Sequence, residues 1–186
     1  MVMDEVLQHR IETTFDHYDV NGNGVIELAD LYALANRLLL AFGEPASSER
    51  GRELIETSDR FWETLVEHCD ADRDGRITLP EYRAAMAAVF VDVDEFDDMF
   101  LEVSESLLAL ADTNGDGRVE PAEFQVLLQA RGLSEAECEI AFAHLDTDGD
   151  GSISLQEYVD AVHEYYTNPT AGTPGSWLYP RSMQLS

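Results

Sequence analysis

Asp70-Ala71-Asp72-Arg73-Asp74-Gly75-Arg76-Ile77-Thr78-Leu79-Pro80-Glu81 decides the fold, because its order of residue types occurs four times in the chain. The other copies are Asp19-Val20-Asn21-Gly22-Asn23-Gly24-Val25-Ile26-Glu27-Leu28-Ala29-Asp30, Asp112-Thr113-Asn114-Gly115-Asp116-Gly117-Arg118-Val119-Glu120-Pro121-Ala122-Glu123 and Asp146-Thr147-Asp148-Gly149-Asp150-Gly151-Ser152-Ile153-Ser154-Leu155-Gln156-Glu157. Each reads Asp, x, Asp/Asn, x, Asp/Asn, Gly, x, Ile/Val, three further residues and an acid, with no insertion. A repeat of this kind marks one supersecondary unit copied along the chain.

The flanks of every copy carry helical periodicity. Val6, Leu7, Ile11, Phe15 and Tyr18 precede the first loop at three- and four-residue steps, and Leu28, Leu31, Leu34, Ala35 and Leu38 follow it. Leu54, Phe61, Leu65 and Val66 lead into the second loop, and Tyr82, Ala85, Met86 and Val89 leave it. Phe96, Phe100, Val103, Leu107 and Leu110 approach the third loop and Phe124, Leu127 and Leu128 follow; Ile140, Phe142 and Leu145 approach the fourth and Tyr158, Val159, Val162 and Tyr165 follow. Ser134 with Glu137 three residues on forms a capping box, and Pro80 and Pro121 stand where a starting helix has no use for an N–H. The pattern is helix, loop, helix, four times, so the fold class is all-α.

The loop chemistry suits a hard divalent cation. Ca²⁺ takes six to eight oxygen ligands at about 2.3–2.6 Å, and a twelve-residue loop supplies them from positions 1, 3, 5, 7 and 12. The candidate ligands are Asp19, Asn21, Asn23, Val25 and Asp30; Asp70, Asp72, Asp74, Arg76 and Glu81; Asp112, Asn114, Asp116, Arg118 and Glu123; and Asp146, Asp148, Asp150, Ser152 and Glu157. Position 7 acts through its backbone carbonyl, which is why Val25, Arg76, Arg118 and Ser152 differ so widely. Position 6 turns sharply and is glycine throughout. Position 8 is apolar throughout, as a short antiparallel bridge between paired loops needs, with Ile26 beside Ile77 and Val119 beside Ile153. Crowded aspartates repel one another, and a dication relieves that repulsion, so ion binding is expected to stabilise the fold. Up to four Ca²⁺ are expected.

Loop one departs from the others. Asp30 is one methylene shorter than the glutamate found at the same position in the other loops, and Asn21 and Asn23 lower its charge. It is expected to hold Ca²⁺ most weakly, with octahedral Mg²⁺ as an alternative occupant. Arg73 and Arg76 put positive charge into loop two, where they either weaken the site or point into solvent.

These loops resemble EF-hands. The four-hand layout over residues 4–166 is similar to the sarcoplasmic calcium-binding proteins and the calerythrin group, through Arg10-Ile11-Glu12-Thr13-Thr14-Phe15-Asp16, Leu39-Leu40-Ala41-Phe42-Gly43 and unevenly spaced loop starts at 19, 70, 112 and 146. The resemblance implies two pairs of hands, residues 4–91 and 92–166, packed into one compact globule, with a Pro/Gly-rich tail over 167–186. In calerythrin the second hand has typically lost its ligands, whereas Asp70, Asp72, Asp74 and Glu81 are all present here.

Composition narrows the function. Eleven basic residues, all Arg, against 38 acidic ones give a net charge of −27, which repels nucleic acid and anionic lipid surfaces. No apolar run reaches the ~18 residues of a membrane span, and the start lacks the order of a secretory signal. Cys69 and Cys138 make neither a disulfide framework nor a metal cluster. The expectation is a cytoplasmic monomer without membrane insertion, binding calcium ions and open to an unidentified protein target. No nucleophile with its base, phosphate loop or zinc spacing is present, so no enzyme activity is expected.

A Ca²⁺ sensor opens a Met-rich groove on loading. Of five methionines only Met86 and Met99 lie inside the chain, which favours a buffer or storage protein, with a shape-changing sensor as the alternative. Two readings of the tail from Thr167 stay open: a disordered segment, or Trp177, Leu178 and Tyr179 folding back to plug the groove. A more distant alternative is a photoprotein-like or luciferin-binding cavity on which His163, Tyr166, Trp177 and Tyr179 converge.

Overall fold

A computed structural model describes residues 5–89, 93–170 and 172–179, with backbone alone for 88–89 and 93–99. The expected boundary at 91/92 and the Met99 side chain lie outside the described residues.

Among the described residues there are eight α-helices: α1 (Glu5–Tyr18), α2 (Leu28–Phe42), α3 (Glu49–Cys69), α4 (Leu79–Val89), α5 (Val93–Ala111), α6 (Pro121–Ala130), α7 (Glu135–Leu145) and α8 (Leu155–Thr167). Two short strands, β1 (Val25–Ile26) and β2 (Ile77–Thr78), form an antiparallel pair, and a 3-10 turn, Pro174–Trp177, follows α8. Local sequence sets the ends. Ser48 opens α3 by accepting from the Gly51 N–H, Ser134 and Glu137 close a capping box on α7, and Pro121 starts α6.

Loops one and two pair with Ile26 opposite Ile77, and loops three and four meet through the single bridge Val119–Ile153. All four of these side chains are essentially inaccessible to solvent. A buried apolar residue on each side of the bridge aligns the loops in register, because slipping by one residue would expose it.

The two pairs of loops do not stand apart. α3 packs along α5, α5 along α8, α2 against α6 and α1 against α8, so every one of these contacts joins the first half of the chain to the second or closes the second upon itself. A string of rings runs through the seam: Tyr18 on Phe61 at 5.6 Å, Phe61 on Phe100 at 6.0 Å, and Phe100 on Tyr166 at 5.1 Å. Tilted and edge-on pairs of this kind add to the gain from burial itself.

The described part of the tail is packed, which overturns the disordered reading for residues 172–179. The 3-10 turn lies against α7 and α8, with Leu178 and Tyr179 buried. Gly175 makes the approach: a Cβ there would stand 2.3 Å from the Ala161 carbonyl oxygen and 2.6 Å from the Tyr165 nitrogen. Arg10, buried in α1, holds the junction. Its Nη1 donates to the carbonyls of Tyr165 (2.8 Å) and Asn168 (2.7 Å), and its Nη2 donates to the Thr170 carbonyl (3.2 Å) and Ser176 Oγ (2.7 Å). A cation at the negative end of α8 is favoured by the helix dipole as well as by the bonds themselves.

Candidate metal centres

All four loops are built on one hydrogen-bond skeleton. Position 1 spans the turn: Asp19, Asp70, Asp112 and Asp146 accept through Oδ2 from the position 6 N–H at 2.8, 2.9, 2.8 and 3.1 Å. Through Oδ1 they accept from the N–H of Asn23, Asp74, Asp116 and Asp150 at 3.0 to 3.2 Å. Position 3 repeats the device, with Asp72, Asn114 and Asp148 accepting from the position 5 N–H at 3.2, 2.9 and 3.0 Å. Position 5 in turn accepts from the N–H of Val25, Arg76, Arg118 and Ser152 at 3.0, 2.9, 3.0 and 3.0 Å. The glycines at position 6 have φ between 80° and 87°, the left-handed turn that wraps these side chains around one centre.

At position 12, Glu81, Glu123 and Glu157 close the loop from the exiting helix. Oε1 accepts from the position 2 N–H of Ala71, Thr113 and Thr147 at 3.2, 2.8 and 2.8 Å. Oε2 accepts from the position 9 N–H of Thr78, Glu120 and Ser154 at 2.9, 3.0 and 2.9 Å. One carboxylate therefore ties both ends of the loop together and leaves lone pairs on each oxygen for a cation.

Loop one shows the short reach of aspartate directly. Asp30 still accepts from the Glu27 N–H at 3.0 Å, but toward the loop start it meets Asn21, through the side-chain amide at 2.7 Å and the backbone at 3.4 Å. The position 2 N–H of Val20, which in the other loops goes to the glutamate, instead donates to the Tyr18 carbonyl at 2.9 Å. Asp30 is itself almost fully buried.

The donors are all oxygen, and they converge. In loop two Asp70, Asp72 and Asp74, and in loop four Asp146, Asp148 and Glu157, each bring an oxygen within 4.8 Å of the others. Two ligands of one ion at about 2.3–2.6 Å stand at most about 5 Å apart, so both groups fit a single hard cation. The electrostatics agree. Repulsion from Asp74 pushes the Asp72 carboxyl above its ordinary pKa, a strain that a dication removes. The Thr78 hydroxyl and N–H hold Glu81 below its ordinary pKa. For Glu123 and Glu157 burial works the other way but is outweighed by bonds from Thr113 and Glu120, and from Ser154 and Thr147, so that both are also lowered.

Arg76 is exposed, as one of the two expectations for it has it, but it is not without a partner. Its Nε pairs with Glu27, position 9 of loop one, at 3.1 Å, because the register that sets Ile26 opposite Ile77 also sets residues 27 and 76 opposite each other. Arg118 of loop three likewise reaches across to Asp150 and, at 3.0 Å, to Ser152 Oγ in loop four. Arg73 matters for its backbone: it is the one non-glycine with positive φ among the described residues, at 62°, where Gly22, Gly115 and Gly149 stand in the other loops. The aromatic set named for a chromophore cavity is otherwise engaged, with Trp177 stacked on His144 at 4.6 Å and Tyr166 on Phe100. Sequence reading did not single out Arg10 or Arg131, because an arginine in an amphipathic stretch ordinarily marks a solvated face.

Comparison with known proteins agrees with this geometry. Calerythrin of Saccharopolyspora erythraea is 28% identical over 163 residues, covering 87% of this chain and 92% of that protein. A solved structure of a Streptomyces coelicolor calcium-binding protein, described in terms of prokaryotic calcium-mediated regulation, superposes with a TM-score of 0.80 at 36% identity, covering 88% of this chain and 99% of that one. The sarcoplasmic calcium-binding protein of amphioxus shares the fold, with a TM-score of 0.78 at 20% identity over the full length of both chains. The EF-hand domain pair family matches residues 8–87 and 102–162. Because those two segments take in all four loops, the chain belongs to the EF-hand domain pair family and is a calcium-binding protein that resembles calerythrin and the sarcoplasmic calcium-binding proteins.

Proposed function

We propose that each loop binds one Ca²⁺ through positions 1, 3, 5, 7 and 12, with loop one the weakest site and open to Mg²⁺, and that the protein works as a cytoplasmic calcium buffer. The hands act as two pairs, residues 4–91 and 92–166. The observation that carries the buffer reading is the packing of the two pairs on each other. Met86 is buried, the docked tail covers α7 and α8, and helices of the two pairs pack on one another where a sensor keeps a groove for a target. Two buried, unpaired cysteines fit a reducing compartment, and among the described residues no helix is long and apolar enough to cross a membrane.

The sensor reading is favoured by one observation, the 36% identity to a protein described in terms of calcium-mediated regulation. Calcium titration followed by small-angle scattering with and without ion separates the two. A buffer keeps its radius of gyration, and a sensor opens. Flow dialysis counts the ions; no uptake at millimolar Ca²⁺ defeats the site assignment. At a thousandfold excess over the dissociation constant each independent site adds about 4 kcal/mol, so chelator should lower the melting temperature substantially.

A further inference from the structure

Away from the loops, α1, α2, α3, α5 and α6 enclose a cavity of about 80 Å³, partly open to solvent. Leu31, Leu34, Leu38, Leu54, Phe61 and Leu107 supply its apolar wall. Tyr18 and Arg131 also line it. Tyr18 is 8% exposed. Arg131 donates from Nη1 to the Tyr158 hydroxyl at 2.7 Å and lies 4.8 Å from the centre of the Tyr179 ring, but among the described residues no carboxylate stands within ion-pair distance of it. A partly desolvated charge left with a phenol and a ring face gains most from an anion.

We propose that this cavity binds a small apolar monocarboxylate, with its short acyl chain against Leu31, Leu34, Leu54 and Phe61 and its carboxylate on Arg131 and the Tyr18 hydroxyl. The volume sets the class. A dry cavity of about 150 Å³ holds benzene, so this smaller, half-open one seats a slim acyl chain rather than a ring system, with a few carbons enclosed and any further ones lying along the open side. The charge of the head group follows from the same wall: Arg131 is the one guanidinium lining the cavity, which matches one carboxylate and leaves the second charge of a phosphate unmet. The net charge of −27 opposes any anion at long range, but that field is screened beyond about 8 Å at physiological ionic strength, whereas the contact with Arg131 is not. The site uses none of the loop ligands, so it stands or falls apart from the calcium assignment.

The test uses hexanoate and its neutral isostere hexanamide on the full chain at saturating Ca²⁺, with binding followed by saturation-transfer NMR and calorimetry. Hexanoate should saturate one site with a dissociation constant in the millimolar range or tighter, and hexanamide should bind about tenfold more weakly or less. Arg131→Gln, which keeps a donor for Tyr158, should erase the preference, and Ala35→Leu, which fills the apolar end, should remove both ligands while calcium titrations stay unchanged. No saturation by hexanoate at tens of millimolar, or equal binding of the amide by the unaltered chain, overturns the proposal even if a variant fails to fold.

Discussion

Replacing Arg10 with methionine keeps the apolar bulk of the side chain and removes the guanidinium that joins α1 to the end of α8 and to the tail. The magnitude follows from its bonds. Those to the Tyr165 and Asn168 carbonyls, at 2.8 and 2.7 Å, are short and charge-assisted, and each contributes about 1.5 kcal/mol at the low end for such bonds. The bonds at 3.5 Å to Glu164 and 3.2 Å to Thr170 are weak enough to neglect, and Ser176 regains water once the tail lifts. The expected loss is about 3 kcal/mol, or about 6–12 °C in melting temperature for a chain of this size. Thermal denaturation followed by circular dichroism at saturating Ca²⁺ measures it, and limited proteolysis reports on the tail, which should be cut faster. Arg10→Lys should fall between, since one ammonium cannot serve the same fan of acceptors. A shift below about 2 °C with an unchanged cleavage rate would refute the claim that Arg10 anchors the tail.

Asp30→Glu should tighten Ca²⁺ binding at one site in calorimetry by restoring the reach to the Val20 N–H that the other loops use; an unchanged isotherm removes the argument from side-chain length. Arg73→Gly relieves a left-handed backbone that costs a side-chain-bearing residue about 1–2 kcal/mol, and after the larger unfolded-state entropy of glycine it should stabilise the protein by about 0.5–1 kcal/mol in denaturant melts. Burial pushes the Cys69 thiol up to about 12 and the Cys138 thiol to about 11, so the native protein should not react with a disulfide reagent at pH 8, while denatured protein should release two equivalents. In chelator, Glu81, Glu123 and Glu157 have folded pKa values below their unfolded ones. Their contribution is therefore complete above the ordinary carboxylate range and is lost as pH falls through the folded values. Asp72, raised by Asp74, has the opposite sign, so Asp72→Asn should raise the chelated melting temperature at neutral pH while weakening Ca²⁺ at loop two; a fall in both readouts contradicts the repulsion argument.

The loops were legible in the sequence because everything that builds them is local. A position 1 carboxylate meets the N–H groups four and five residues on, and a position 12 glutamate reaches back ten, so twelve letters contain nearly the whole hydrogen-bond skeleton. The apolar residue at position 8 carried the pairing of the loops for the same reason, since the register of a two-residue bridge follows from which side chain must be buried. Loop one was readable as the outlier from a single methylene.

What the sequence could not decide is where residues far apart meet. Whether Trp177, Leu178 and Tyr179 pack or trail depends on a bare Gly175 facing the Ala161 carbonyl and on Arg10, more than 150 positions earlier in the chain, reaching the end of α8. The partners of Arg76 and Arg118 came from cross-strand placement, and the lone guanidinium of Arg131 acquires meaning only once five helices wall a cavity around it. Local hydrogen bonds and turn geometry are written within a dozen residues; charge burial and cavity shape are properties of the packed whole, and only the tertiary structure assigns them.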